Sequence, residues 1–254
     1  MELNLRSALA SGLNSVYELG PCFRPGESDG LRHPEFYMME LFQRDLNFEG
    51  LIKLTTAMLD AALNRKLDIA RVSVSQWLKK ECDVDCSESN ILIKEKLLNK
   101  KLVPEDFKSL PTFKAINYII DQRLEPQLSN PTLLIDFPAC TICLAKRVQG
   151  HPHLIERFEL FVNGIEIAHG FVDETETTDL ESRMRENGDE FVDLGVLELL
   201  KTGRLPQSAG VGFGIERIML GFCGVSSISE LIHKSQFVIS NKDNSMSDPV
   251  ALNN

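Results

Sequence analysis

At 254 residues, with 43% hydrophobic and 25% charged side chains, the chain has the composition of a folded globular protein. It has room for one large domain, or for a domain carrying an insertion. A formal net charge of −10 excludes a chain whose main task is to coat a phosphate backbone, while leaving room for a local basic patch. No apolar run approaches bilayer-spanning length, the N-terminal residues do not read as a signal peptide, and six cysteines require no disulfide framework. The expected setting is therefore the reducing cytoplasm, with no membrane partner.

A short helix is predicted from Leu3 to Leu13, followed by a strand from Val16 to Arg24 and a polar loop, Pro25 to Gly30. Glu35 to Phe42 reads as the returning strand of a long hairpin. From Phe48 to Asn64, apolar residues at helical spacing (Leu51, Ile52, Met58, Leu59, Ala62, Leu63) predict an amphipathic helix. Residues from about 65 to 130 read as a mostly helical insertion with short patterns at 74–78 and 113–124, packed as a solvated layer on the core. Cys82 and Cys86 fall in a polar stretch there and read as exposed. Cys140 and Cys143 have half the spacing of a zinc site, but no second pair matches, so free thiols are the expectation.

Strand character returns at Thr132–Phe137 and is clearest from Arg157 to Phe171. Helices are predicted at Ile215–Gly221 and Ser227–Ile232, and a polar, disordered tail at 240–254. Hairpins without regular βαβ alternation predict an α+β domain over residues 1–239, built on an antiparallel sheet with a helical insertion.

Three clusters carry chemistry. In the first hairpin, Arg24 on one arm and Arg32 and His33 on the other suit the grip of a polyphosphate. Phe36 suits stacking on a purine. In the second, Asn163-Gly164 between two alternating runs is a strong hairpin-turn signal. A two-residue turn pairs Val162 with Ile165, Phe161 with Glu166 and Glu159 with Ala168. Glu159 and Glu166 are then diagonal neighbours on one face, about 7–8 Å apart. Magnesium carrying a nucleotide polyphosphate would relieve their repulsion. In the third, Gly210, Gly212 and Gly214 alternate along a strand and strip one face of side chains, so that a flat ligand could lie against it. Arg217 opens the next helix.

Together these runs resemble the class II aminoacyl-tRNA synthetase family. Residues 23–36 resemble its motif 2 and residues 210–217 its motif 3. Leu144 to Lys146 with Glu156 to Phe171 narrows the resemblance to the lysyl-tRNA synthetase branch. Asp136 to Ala139 and the length of the connecting segment point to the shortened paralogue that ligates lysine onto elongation factor P. The resemblance covers roughly residues 2–237 and implies an ATP- and Mg²⁺-dependent ligase that forms an aminoacyl-adenylate. It implies that Arg24 holds the α-phosphate and that Phe36 and Arg217 cover the two faces of adenine. Arg217, and Arg32 or His33, would reach the γ-phosphate, with Glu27, Gly212 and Gly214 completing the ATP site and Glu159 and Glu166 binding magnesium. The amino acid would meet Glu166, His169, Phe171, Asp173, Gly210 and Gly212, with the substrate ammonium on Asp173 helped by Glu174.

The departures are specific. Gly26 stands where motif 2 has its Glu, which comes one later at Glu27. His169 replaces an Asn, and Asp173 replaces a longer Glu. Strict alternation from Glu166 would send His169, Phe171 and Asp173 to the opposite face, so a bulge near Gly170 is expected to bring them back. The chain begins after the family's motif 1, so a monomer, or association through a different face, is expected. The expected acceptor is a protein such as elongation factor P, with tRNA second. The alternatives are a ligase acting on a carrier protein or tRNA, and a non-catalytic paralogue that binds ATP or amino acid and acts through a partner.

Overall fold

The computed structural model describes residues 1–26, 29–142, 144–186, 194–225 and 227–231. In chain order the first elements are α1 (Glu2–Ala10), β1 (Ser15–Phe23), β2 (Glu35–Arg44), α2 (Phe48–Leu63) and β3 (Ala70–Ser73). A helical stretch follows: α3 (Val74–Trp77), α4 (Asn90–Asn99) and α5 (Thr112–Ile119). The chain continues through β4 (Thr132–Ile135), β5 (Phe137–Pro138), β6 (Arg147–Val148), β7 (His151–Ile155), β8 (Arg157–Val162) and β9 (Ile165–Val172). It ends in α6 (Thr177–Glu186), α7 (Leu194–Lys201), β10 (Ser208–Gly214), α8 (Ile215–Cys223) and α9 (Ile228–Leu231). The predicted tail at 240–254 and the last predicted helical residue, Ile232, lie outside the described residues.

Among the described residues the main sheet has seven strands in the order β1-β2-β10-β9-β8-β4-β3. All neighbours are antiparallel except β3 with β4. This is the expected antiparallel-dominated α+β core. β3 falls inside the stretch read as a helical insertion and is instead an edge strand of the main sheet, so the helical part starts at Val74. Four residues of strand are too short for periodicity to separate from a loop. Helices α6 and α7 were also not read from the sequence.

The two faces of the sheet have different jobs. Leu160 and Val162 of β8, Ala209, Val211 and Phe213 of β10, and Leu51, Ile52 and Leu59 of α2 form one apolar core, with Ile218 and Phe222 of α8 packed against it. α2 is placed by its caps: the Asn47 side chain accepts from the Gly50 N–H, and Asn64 closes the helix at φ 49°. On the opposite face, Phe161, Leu134 and Phe137 join a second core with the helical segment. That segment is therefore a packed layer with an interior of its own. Cys82, Cys86 and Cys140 lie in this core at 1%, 8% and 7% exposure, against the expectation of exposed thiols at 82 and 86. Burial pushes the Cys86 thiol up to about 12, so it is an inert core group. Cys143 lies outside the described residues.

A cleft is lined by the first hairpin, β9, β10 and the start of α8. Gly170 shows how closely β8, β9 and β10 are fitted: a Cβ there would lie 2.6 Å from Phe158 Cζ and 3.1 Å from the Gly210 carbonyl oxygen. Gly170→Ala is expected to destabilise the fold by about 1–3 kcal/mol through overpacking, read as a lower urea midpoint with an unchanged slope.

Candidate active site

The cleft has a volume of about 190 Å³. Arg24, Arg32, His33, Phe36 and Met38 of the first hairpin line it, with Glu166 to His169 of β9, Gly212 and Gly214 of β10, and Glu216 and Arg217 of α8. Most of the sequence-derived nucleotide residues thus come together, although they lie up to two hundred positions apart. Glu27 lies outside the described residues.

Each wall has a local cause. Antiparallel pairing of β1 with β2 is continued past the strands by the Arg24 N–H donating to the Pro34 carbonyl at 2.8 Å, which sets Arg24 beside Phe36. The Arg24 guanidinium lies 5.5 Å from the Phe36 ring centroid. Arg32 is braced by Asp29 at 3.0 Å, and His33 Nδ1 lies 2.8 Å from the Glu35 carbonyl oxygen. Both Glu216 carboxylate oxygens accept from the Tyr37 N–H, at 2.9 and 3.1 Å, tying α8 to β2. At Gly214 a Cβ would meet the Arg217 stem at 3.5 Å, an ordinary contact, so the arginine packs beside this strand end without requiring a glycine there. Gly210 behaves differently. A Cβ there would lie 2.3 Å from the Phe42 ring, so the glycine makes room for a core aromatic and does not line the cleft.

The carboxylate hairpin departs from the expected register. Asn163 and Gly164 form the turn, at φ 51° and 74°. Val162 pairs with Ile165 and Phe161 with Glu166, as expected. Glu159, however, pairs with His169 and Leu160 with Ala168, because Ile167 is an extra residue on β9. The bulge needed to bring His169 round to the side of Glu166 is therefore present, but at Ile167 and not near Gly170. Its driving force is apolar: consecutive Ile167 and Ala168 both enter the α2-side core. Ligand-capable atoms of Glu159, Glu166 and His169 consequently lie within 4.8 Å of one another.

Their charges are held by arginines. Arg157, which the sequence reading missed, donates to the Glu159 carboxylate, to His169 Nε2 at 3.1 Å and to Thr141 Oγ1 at 3.1 Å, and stacks over Phe137 at 4.2 Å. It alternates with Glu159 along β8, a signal present in the sequence. Arg217 donates to Glu166 Oε2 at 3.0 Å. Burial pushes Glu159 up to about 7, opposed by Arg157 and reinforced by Glu166. Glu125, from the helical layer, is pushed up to about 8 by burial and by Asp121, Glu159 and Glu166. Burial, with Arg157 adding to it, lowers His169 to about 3, so its ring is neutral. Two neighbouring carboxyls, Glu125 and Glu159, are held above their ordinary range, which favours a cation here, and the convergence of Glu159 with Glu166 fits a divalent one.

The amino-acid residues divide. His169 lines the cleft and lies 5.7 Å from the Phe171 ring. Phe171 and Asp173 follow on the same face but are closed off, at 8% and 2% exposure. Asp173 Oδ1 accepts from Arg6 Nε and Nη2 at 3.2 and 2.8 Å, and Oδ2 accepts from the Ser208 hydroxyl at 2.6 Å. Glu174 is bound by Arg183 at 3.1 Å. Neither carboxylate faces the cleft, contrary to the anionic wall expected from the sequence.

The first 234 residues match the family model described as tRNA synthetases class II (D, K and N). The chain belongs to that family. Among curated relatives, the lysine–tRNA ligase of Helicobacter pylori (strain 26695) is 30% identical over 91% of this chain and 51% of its own length. Those of Thermoanaerobacter sp. (strain X514) and Chloroflexus aurantiacus are 26% and 28% identical over the same share of this chain, and over 51% and 52% of their own. The chain thus spans about half the length of the relatives it matches. No helix of the described residues is long and apolar enough to cross a membrane.

Glu40 of β2 supplies a pH test. It is 8% exposed, its Oε2 has no hydrogen-bond partner, and burial pushes it up from 4.5 to about 7. Between those values the folded state holds a proton that the unfolded state has released, so this group makes stability fall as pH rises from 4.5 to 7. In Glu40→Gln that slope is expected to disappear. Relative to wild type, the variant should gain on the order of 2 kcal/mol across the interval, measured by denaturant unfolding at each pH.

Proposed function

We propose that this chain activates an amino acid with ATP, forming an aminoacyl-adenylate in the cleft and passing the aminoacyl group to an acceptor amine or hydroxyl. The carrying observation is that an arginine–aromatic pair (Arg24, Phe36), a helix-opening arginine (Arg217) and two converging carboxylates (Glu159, Glu166) line or border one cleft. That set suits in-line displacement at phosphorus, where the protein positions groups and neutralises charge and needs no nucleophile of its own.

In this reading an amino-acid carboxylate oxygen attacks the α-phosphorus. The bond from that phosphorus to the bridging oxygen breaks, and pyrophosphate leaves with the electron pair. Arg24 stabilises the charge that builds on the α-phosphoryl oxygens, and Phe36 supports the base. Arg217 leaves Glu166 to cover the other face of the base and reach the terminal phosphate, while Arg32 and His33 guard the open side. Glu159 and Glu166 would hold a magnesium ion, which when bound screens the polyphosphate charge. The acceptor then attacks the carbonyl carbon and AMP leaves. The net charge of −10 favours a protein acceptor, such as an elongation-factor-P-like protein, over tRNA. The lysine-like substrate suggested by the sequence depends on Asp173, whose charge Arg6 already meets.

A binding-only role is the second reading, favoured by the internal Arg157–Glu159 and Arg217–Glu166 pairs. ATP–pyrophosphate exchange against a panel of amino acids separates the two. Exchange is expected, with Arg24→Ala lowering it by about 10²–10³. Magnesium-dependent nucleotide affinity should fall in Glu159→Gln and Glu166→Gln. Tight MgATP binding with no exchange for any amino acid would support the binding-only role, and absence of MgATP binding would contradict both.

A further inference from the structure

The end of the cleft beyond His169 is filled by the protein itself. On the cleft face the strands continue as Phe42, Phe171, Asp173 and Ser208, and α1 lies across them with Leu5 and Leu9 packed on Phe42. From α1, Arg6 reaches down with its guanidinium 4.4 Å from the Phe42 ring centroid and 5.7 Å from that of Phe171. Two of its nitrogens meet Asp173 Oδ1, and Nη1 donates to Glu2 at 2.6 Å. Arg6 is 0% exposed and Asp173 2%, and Ser208 takes the remaining Asp173 oxygen. A cation between aromatic rings, fork-bonded to a buried carboxylate, is the arrangement a receptor for a long cationic side chain would offer its ligand. Here an internal side chain fills it.

We propose that Arg6 is the specificity-determining residue of this site: it occupies the compartment of a cationic side chain, so the amino acid activated is short and uncharged. This rests on the adenylation reading and names its substrate class. The wall of the cleft agrees: it stops at His169 and Gly212 and includes neither Arg6 nor Asp173.

The test measures thermal shift and pyrophosphate exchange with glycine, alanine, serine, ornithine, lysine and arginine. Wild type, Arg6→Ala, and the double variant Arg6→Met/Asp173→Asn are compared, each first checked for MgATP binding. Wild type should respond to the short neutral amino acids at least 10-fold more strongly than to lysine. Arg6→Ala exposes Asp173 and should reverse that preference toward lysine, with millimolar guanidinium restoring the original order. The double variant keeps the compartment filled and neutral, removes the unpaired-charge problem that could prevent Arg6→Ala from folding, and should still refuse lysine. MgATP binding with a lysine preference in wild type or in the double variant would overturn the specificity proposal alone. Failure of wild type to bind MgATP would remove the adenylation reading and this proposal with it.

Discussion

One extra residue in β9 decides what the cleft can do. Ile167 and Ala168 both turn into the core beneath α2, and the strand resumes its alternation out of phase. Without that step Glu166 would face one way and His169, Phe171 and Asp173 the other. With it, all four share the face that also carries Glu159, the glycine strand and the first hairpin. The bulge is held by ordinary packing: Asn163 Nδ2 donates to the Gly221 carbonyl at 3.0 Å, and a Cβ at Gly221 would already touch Val162 and Ile167.

Bringing so many charges to one face has to be balanced, and the chain does this with arginines drawn from distant elements. Arg157 answers Glu159 within one strand, Arg217 answers Glu166 from α8, and Arg6 answers Asp173 from α1. These pairs are not equivalent. Arg217 is partly exposed at the mouth of the cleft, whereas Arg6 is sealed beneath its own helix. Breaking a buried pair of the second kind typically costs about 3–5 kcal/mol. Arg157 and Glu159 are buried as well, at 7% and 9% exposure, so of the three pairs Arg217–Glu166 alone is open to solvent.

Legibility in the sequence followed the range of the interactions. The long hairpin, the Asn163-Gly164 turn, the amphipathic α2 and the glycine strand are local patterns, and the antiparallel core could be read from them. The need for a bulge was also legible, but its position was not. Gly170 drew attention as a permissive residue, yet its smallness serves the Phe158 ring, and the signal lay in two apolar residues between Glu166 and His169. The same applies to Gly210, which accommodates Phe42. β3 was too short to register. The Arg6–Asp173 pair spans 167 positions, and no periodicity or motif spacing could have joined them.

The account rests on the bulge building a divalent-cation and nucleotide site, and insertion of an alanine between Leu160 and Phe161, which gives Ile167 a partner on β8, addresses this most directly. Mn²⁺ binding in the presence of ATP can be followed by electron paramagnetic resonance, with circular dichroism confirming the fold. Wild type should hold Mn²⁺ in an ATP-dependent manner, and the insertion variant, with β9 returned to strict alternation and Glu166 on the face opposite to Glu159 and His169, should lose that binding while keeping its strand content. A folded insertion variant with unchanged ATP-dependent Mn²⁺ affinity would contradict the account.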